Sequence, residues 1–433
     1  MSVTNGTFPS SERRPWVGVL IRGWRLEIAL TLAALLVLGF SSRIGTDGPI
    51  LAVVSVIAFL RLRPNLRAKL VTSLRERRDL RTLDAALWHC AVVGRRGDIP
   101  RVVRSASLPV GRRYLVLLPV GLHYEALKKR EAELAAALSV REVRIKPFIA
   151  NARYAEIAVI RANAFPKLFA SPLLAHWRVS LWEPIAFGVG QDGLAVSLRL
   201  PEHNLLIGGE PGSGKSVALS TIVGAAALDP SVHLTLLDGK DVELVAWSGV
   251  ADEFVGADRD GAVEVLEELV ALMDERYQRL VATRKRKVAP GDLDGLHLVV
   301  IDEVAFYLRG GEKARREHFA ELLRDLVSRG RAAGIIVVAA TQKPSHDVVP
   351  TFVRDLFSYR LALRCTSPEA SDTILGQGWA HQGYSAATID PATRGVGYLL
   401  AEGGVPELLM TPYLSDEDIE ALADRALELR ELA

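Results

Sequence analysis

The sequence predicts a mostly parallel α/β sheet, preceded by a small α+β domain and an N-terminal transmembrane helical hairpin. Three patterns support this. From about residue 185 onward, apolar strands alternate with helical stretches; residues 112–161 mix alternating strands with an amphipathic helix; and two apolar runs stand close together before residue 62. With 433 residues the chain has room for two or three domains. Its hydrophobic content of 49% and mean hydropathy of +0.19 are high for a wholly soluble protein and agree with a membrane segment.

The apolar runs are "LEIALTLAALLVLGF" (26–40) and "PILAVVSVIAFL" (49–60), joined by a short loop with Gly45, Asp47 and Gly48. Each is shorter than the ~20 residues a bilayer demands. Extension through Ile44 and to Leu62 makes two tight spans. Arg13, Arg14, Arg22 and Arg25 precede the first run, and Arg61, Arg63, Arg67 and Lys69 follow the second, whereas the loop holds only Arg43. Positive residues on both outer flanks place both ends in the cytoplasm, so the reading is a two-span protein of the plasma membrane. A cleaved signal peptide fits poorly, because a second apolar run follows at once.

Net charge is only +2, yet residues 61–113 carry 14 lysines and arginines against four acidic residues, a local net of +10. That excess fits positive-inside topology and attraction to anionic lipid. Cys90 and Cys365 lie far apart with no ligand-like spacing, which excludes a disulfide framework and a cysteine zinc site.

In the small α+β region "RYLVLLP", "REVRIKPF" and "AEIAVIRA" read as strands, and "HYEALKKREAELAAALSV" as one helix with an apolar stripe of Leu127, Leu134 and Leu138. None of these stretches shows a pattern that points to chemistry. Downstream, the strand candidates are 203–209, 233–238, 297–302, 334–341, 358–365 and 395–400. At the C-terminus Ser415 and Asp418 form a capping box before a stripe of Ile419, Leu422, Ala423, Ala426 and Leu427.

Chemistry enters at "GEPGSGKSV", formed by Gly209, Glu210, Pro211, Gly212, Ser213, Gly214, Lys215, Ser216 and Val217. The spacing fits G-x-x-x-x-G-K-[ST] between a strand and a helix. Such a loop turns its backbone N–H groups onto phosphate oxygens, and the helix N-terminus adds partial positive charge. Lys215 is placed to reach the β- and γ-phosphates of ATP, and Ser216 to hold Mg²⁺. "HLVVIDEVAF" then delivers Asp302 and Glu303 to a strand's C-terminal end. Asp302 is expected in the Mg²⁺ shell, and Glu303 as the residue that orients and deprotonates the attacking water. The combination predicts ATP hydrolysis.

Four further stretches, "LLDGKDVELVAW" (236–247), "LMDERYQRL" (272–280), "GRAAGIIVVAATQKPS" (330–345) and "SDTILG" (371–376), occur in this order. Together they resemble the FtsK/SpoIIIE family of double-stranded DNA translocases over roughly residues 180–411. The run "GQGWAHQGYSAATIDPATRGVGYLL" (376–400) is most similar to the Tra proteins of actinobacterial conjugative plasmids and integrative elements. The resemblance implies a RecA-like P-loop NTPase motor, a homo-oligomeric hexameric ring with ATP between subunits, and duplex DNA in its channel. By position, Arg331 matches the arginine that enters a neighbour's ATP site, with Arg329 as its near rival. Lys343 matches a basic residue directed at DNA phosphate, and Gln342 stands where the γ-phosphate can be sensed. "SPEASD" (367–372) departs from the family, which commonly has basic residues there; "RKRK" (284–287) is a candidate replacement.

These readings divide the chain into a cytoplasmic tail (1–25), the hairpin (26–62), a basic juxtamembrane linker (63–111), a small α+β adaptor (112–170), the motor (171–414) and a C-terminal helix (415–433). Chromosome-pumping relatives carry a winged-helix module after the motor, and only about one helix follows the last strand here. Conjugative DNA transfer is therefore the leading expectation, with other transfer or division proteins as partners. Chromosome segregation at the septum and type VII-like protein secretion are the alternatives.

Overall fold

The computed structural model describes residues 64–165, 168–292, 295–342, 344 and 354–432. The expected membrane hairpin and Lys343 lie outside these residues. Among the described residues no helix is long and apolar enough to cross a membrane. The chain separates into two compact units, one mainly before and one after residue 162.

The first unit opens with helix α1 (Pro64–His89), followed by strands β1 (Arg101–Leu108) and β2 (Gly111–Leu117), helices α2 (Tyr124–Lys128) and α3 (Glu131–Leu138), and strands β3 (Glu142–Pro147) and β4 (Tyr154–Ile160). Its four-stranded sheet runs β1-β2-β4-β3. Leu83, Ala86 and Leu87 of α1 are buried in one core with Tyr114, Val116, Val143, Ile145, Ile157 and Val159. The 63–111 stretch read as a linker thus holds a core-forming helix and an edge strand. Its arginine-rich composition conceals the few apolar positions that pack. The single helix expected over the Leu127–Leu138 stripe is two helices, parted at Lys129 and Arg130. Leu127 and Leu134 are nevertheless buried in this core, and Leu138 packs against it.

The second unit holds β5 (Ile185–Gly190), β6 (Ala195–Leu198), β7 (Leu205–Gly208), α4 (Lys215–Ala227), β8 (Val232–Asp238), β9 (Glu253–Val255), α5 (Arg259–Ala282), β10 (Leu296–Asp302), α6 (Val304–Leu308), α7 (Lys313–Arg329), β11 (Ile335–Thr341), β12 (Tyr359–Leu363), α8 (Pro368–Leu375), β13 (Val396–Leu400), β14 (Glu407–Met410) and α9 (Asp416–Glu431). They form a ten-stranded sheet in the order β6-β5-β14-β13-β12-β7-β11-β10-β8-β9. The six strands from β12 to β9 pair in parallel. The other four extend the sheet antiparallel beyond β12.

Parallel strands covered on both faces read as continuous apolar runs, because alternate residues enter opposite cores. Here Leu205, Ile207, Leu298, Val300, Ile336 and Val338 face one core with α4, Trp247 and α9. Leu206, Val299, Ile301, Val337 and Ala339 face the other with α5, α7 and α8. Helix α4, small and apolar on every side, is buried along nearly its whole length. The Ser415–Asp418 capping box forms, and Leu422, Ala423 and Ala426 of α9 are buried in the same core as α4. Leu429, rather than the expected Leu427, completes that buried set; Leu427 is exposed. The C-terminal helix, set apart in the sequence reading, is therefore part of the α/β unit's own core.

Candidate nucleotide site

Strand register brings the functional residues to one edge. Thr341 of β11 stands opposite Gly208 of β7, and Asp302 of β10 stands opposite Asp238 of β8. All four are the last residues of parallel strands, where ligands sit in such sheets. Chain order also reverses at β7, whose connection leads toward β8 while its two sheet neighbours are β11 and β12.

The turn between β7 and α4 is shaped by glycine. Gly212 and Gly214 have φ of +77° and +101°, values costly for residues with a Cβ. A Cβ at Gly214 would come within 2.7 Å of Gly395 N, so the turn also presses against the start of β13. Gly395 N–H donates to Ser213 O at 2.8 Å, and Gly209 N–H donates to Thr341 O at 3.3 Å. Glu210 N–H donates to Arg364 O at 3.0 Å, and the two side chains form an ion pair. The loop is thus braced from both flanking strands. Gly395 and Arg364 carry no motif of their own and could be found only from the fold.

Lys215, the first residue of α4, is ion-paired with Asp302, and both side chains are buried. Asp302 Oδ2, Ser213 Oγ and Lys240 Nζ are buried with no hydrogen-bond partner among the described residues. Unsatisfied buried polar atoms call for an explanation, a bound ion or ligand among them. Together with a glycine cradle at a helix N-terminus, a lysine, the Ser216 hydroxyl and two carboxylates, they fit a magnesium nucleotide.

Glu303 follows β10 in the left-handed region, with φ of +51°. A non-glycine residue held there costs of order 1–3 kcal/mol, and such residues gather at functional sites. Its carboxylate accepts the Thr341 hydroxyl at 2.9 Å and Gln342 N–H at 3.1 Å. The polar tip of β11 therefore meets Glu303 directly, through Thr341 and the Gln342 backbone. Thr341 was not singled out for the site, because only pairing of β11 beside β10 gives its hydroxyl a partner.

Two acidic or basic residues escaped the sequence reading although their stretch was recognised. Asp238 Oδ1 accepts Lys240 N–H at 3.1 Å, and its Oδ2 accepts Glu243 and Leu244 N–H at 2.9 and 2.8 Å. Lys240 then places its ammonium 3.8 Å from Asp302 and 3.5 Å from Glu303.

Other expected residues lie elsewhere. Arg331 donates to the Glu202 carbonyl at 2.6 Å and to the Glu402 carboxylate at 3.0 Å, and it remains one-third exposed. Arg329 is ion-paired with Asp274 and Asp325 and lies near the Tyr277 ring. The "DERY" stretch, residues 274–277, proves to be a clamp. Asp274 holds Arg329, Tyr277 Oη donates to the Arg329 carbonyl at 2.7 Å, and buried Arg276 donates to the Gly295 and Ala333 carbonyls at 3.2 and 2.8 Å. It fastens α5 to the turn that carries Arg331. Within "RKRK", Lys285 pairs with Asp292 and Lys287 with Glu202. In "SPEASD", Ser367 caps α8 and Asp372 accepts Gly378 and Ala380 N–H at 2.8 and 2.7 Å. Asp372 thus organises the following glycine-rich loop.

A parallel sheet with a phosphate loop after one strand and paired carboxylates after another defines a P-loop nucleotide hydrolase. Residues 175–378 match the family model described as FtsK/SpoIIIE family. The DNA translocase FtsK of Corynebacterium efficiens is 27% identical over 347 residues, which are 73% of this chain and 35% of that protein. The DNA translocase FtsK of Mycobacterium tuberculosis is 28% identical over 351 residues, 75% of this chain and 41% of the relative. The chain thus spans about two-fifths or less of these relatives' lengths. Among solved structures, the pCW3 conjugation coupling protein TcpA, in monomer form with ATPγS, superposes with a TM-score of 0.55 at 19% identity. That match covers 81% of this chain and 98% of TcpA. EssC (ATPases 2 and 3) from Geobacillus thermodenitrificans gives a TM-score of 0.50 at 15% identity, over 62% of this chain and 52% of that one. Both share the fold.

Proposed function

We propose that this protein is a membrane-anchored, ATP-dependent translocase of double-stranded DNA that serves conjugative transfer. The observation that carries the reading is the joining of β10 and β11 at one site, where Glu303 is held by Thr341 and Gln342. The hydrolytic carboxylate is thereby tied to the strand that leads into "TQKPS". Curated relatives similar to this chain over about three-quarters of its length are named DNA translocases, and the fold likeness to a conjugation coupling protein extends over nearly all of that protein. The apolar runs at 26–40 and 49–60 supply the anchor in the plasma membrane, with the motor on the cytoplasmic side.

In this reading the 209–217 loop wraps the phosphates of ATP, and Lys215 leaves Asp302 to reach them. Ser216 and Asp302 would hold Mg²⁺, which when bound offsets charge building on the phosphate oxygens. Glu303 orients a water for in-line attack and accepts its proton; Thr341 and the Gln342 N–H fix the carboxylate's direction. Gln342 senses the γ-phosphate. Arg331 serves the site of a neighbouring subunit in a hexameric ring, exchanging Glu402 for phosphate. Lys343 meets the DNA backbone, a contact blind to sequence and weakened by salt.

The test is ATP hydrolysis by the full-length protein with and without linear duplex DNA. Stimulation by duplex is the expected result, reduced in Lys343→Ala. ATPase activity indifferent to any DNA would sink the translocase reading and favour a motor that moves protein. Full stimulation of Lys343→Ala would remove that residue from the DNA path.

A further inference from the structure

Two lysines face the Asp302–Glu303 pair, and hydrolysis as described uses only Lys215. Lys240 lies on the turn after β8, 3.8 Å from Asp302 Oδ2 and 3.5 Å from Glu303 Oε2. Its Nζ is buried and makes no hydrogen bond among the described residues, and Asp302 Oδ2 is buried without a donor. A buried ammonium lacking hydrogen bonds is costly unless opposite charge compensates it. Two carboxylates on adjoining residues supply that charge. Asp302 Oδ1 is occupied by Lys215, and Glu303 by Thr341 and Gln342 N–H.

The mount is rigid as well. Asp238 stands in register with Asp302, is fully buried, and fastens the turn by accepting the N–H groups of Lys240, Glu243 and Leu244. Lys240 is therefore held near both carboxylates without being hydrogen-bonded to either, the arrangement of a counter-charge that leaves Asp302 Oδ2 open to another partner.

We propose that Lys240 is a positioning residue: its charge keeps the Glu303 carboxylate in place and competes with Mg²⁺ for Asp302. The proposal rests on the ATPase reading. Adjacent carboxylates repel each other, and a cation within 4 Å of both offsets the repulsion strongly where water is scarce. Once Lys215 turns to phosphate, Lys240 remains beside the pair. A divalent cation approaching Asp302 Oδ2 alone meets its repulsion, whereas one arriving with polyphosphate brings compensating negative charge. Lys240 thus opposes a lone metal at Asp302 Oδ2, beside the opposition Lys215 gives at Oδ1, and unlike Lys215 it stays by the pair once nucleotide is bound.

The experiment titrates Mg²⁺ at fixed fluorescent ADP, and separately measures steady-state hydrolysis, on the full-length wild type and the Lys240→Met and Lys240→Arg variants. Without the charge, the Mg²⁺ concentration for half-maximal nucleotide binding should fall about fivefold. The kcat should fall about tenfold as Glu303 loses its position, with KM for ATP changed by less than about twofold. Lys240→Arg should restore both. Wild-type Mg²⁺ dependence and kcat in Lys240→Met would overturn the proposal and leave the ATPase reading intact. Equal losses in Met and Arg variants, together with a lowered Tm, would overturn it in favour of a purely architectural role. No nucleotide binding by the wild type would overturn the proposal and the ATPase reading together.

Discussion

Thr341 donates its hydroxyl to Glu303 Oε1 at 2.9 Å, joining the last residue of β11 to the first residue beyond β10. The bond spans 38 residues of sequence and fixes a carboxylate whose backbone already sits in a costly left-handed conformation. Thr341→Val keeps the shape and removes the donor. The kcat for ATP should drop about tenfold with KM nearly unchanged, because orientation is lost rather than binding. Thermal unfolding should shift by the equivalent of only about 1 kcal/mol. Unaltered kcat would show that the Gln342 N–H alone suffices.

Binding and hydrolysis should separate cleanly between Lys215 and Glu303. Lys215→Ala should abolish binding of fluorescent ADP. Glu303→Gln should retain it while lowering kcat by about a hundredfold or more, as expected when the proton acceptor is removed. Equal affinity losses in the two variants, measured by equilibrium titration, would contradict the assigned roles.

Arg276 tests the clamp. Arg276→Met leaves the Gly295 and Ala333 carbonyls without that donor in a buried setting. Unfolding free energy should fall by about 2–4 kcal/mol. Denaturant titration measures the loss; a change below about 0.5 kcal/mol would show that the clamp is dispensable.

His297 gives the sheet a pH dependence at the edge opposite the nucleotide. Burial, assisted by nearby Arg276 and His233, lowers its pKa from 6.5 to about 4. Its Nε2 is 2.7 Å from the Thr235 hydroxyl, and its Nδ1 is buried without a hydrogen-bond partner among the described residues. As pH falls from 6.5 toward 4, the unfolded chain binds a proton that the folded chain refuses. Stability should therefore fall through that window, by up to about 3 kcal/mol, and level off below it. Asp252 extends the decline downward. Burial works to raise its pKa, but the hydrogen bonds from His233 and Leu234 N–H outweigh it and hold the group at about 2, so its contribution is lost as pH drops from 3.8. Denaturant midpoints between pH 7 and 4 measure the effect, and His297→Gln should flatten the upper part of the curve. A wild-type midpoint constant over this range would refute the assignment.

Strand positions were legible in the sequence because strands covered on both faces are nearly continuous apolar runs, and each parallel strand from β7 to β12 except the three-residue β9 appeared that way. Lys215, Ser216, Asp302 and Glu303 were legible because their spacing is local. The strands β5, β6 and β14 were not read, since β6 and β14 are only four residues long and β5, IAFGVG, is interrupted by glycines that weaken a strand pattern. Core positions of α1 were hidden among arginines. The roles of Arg276 and Tyr277 were obscured because their partners, Gly295, Ala333 and the Arg329 carbonyl, are distant in sequence and mostly backbone.

By itself, then, the sequence determined an α/β unit with a phosphate loop and paired carboxylates, since loop chemistry and strand hydrophobicity are written in contiguous residues. Only the tertiary structure decided which groups orient those carboxylates. The order β7-β11-β10-β8 sets Thr341 and Lys240 on either side of Glu303, and sheet order follows from how whole strands pair, which no short stretch of residues encodes.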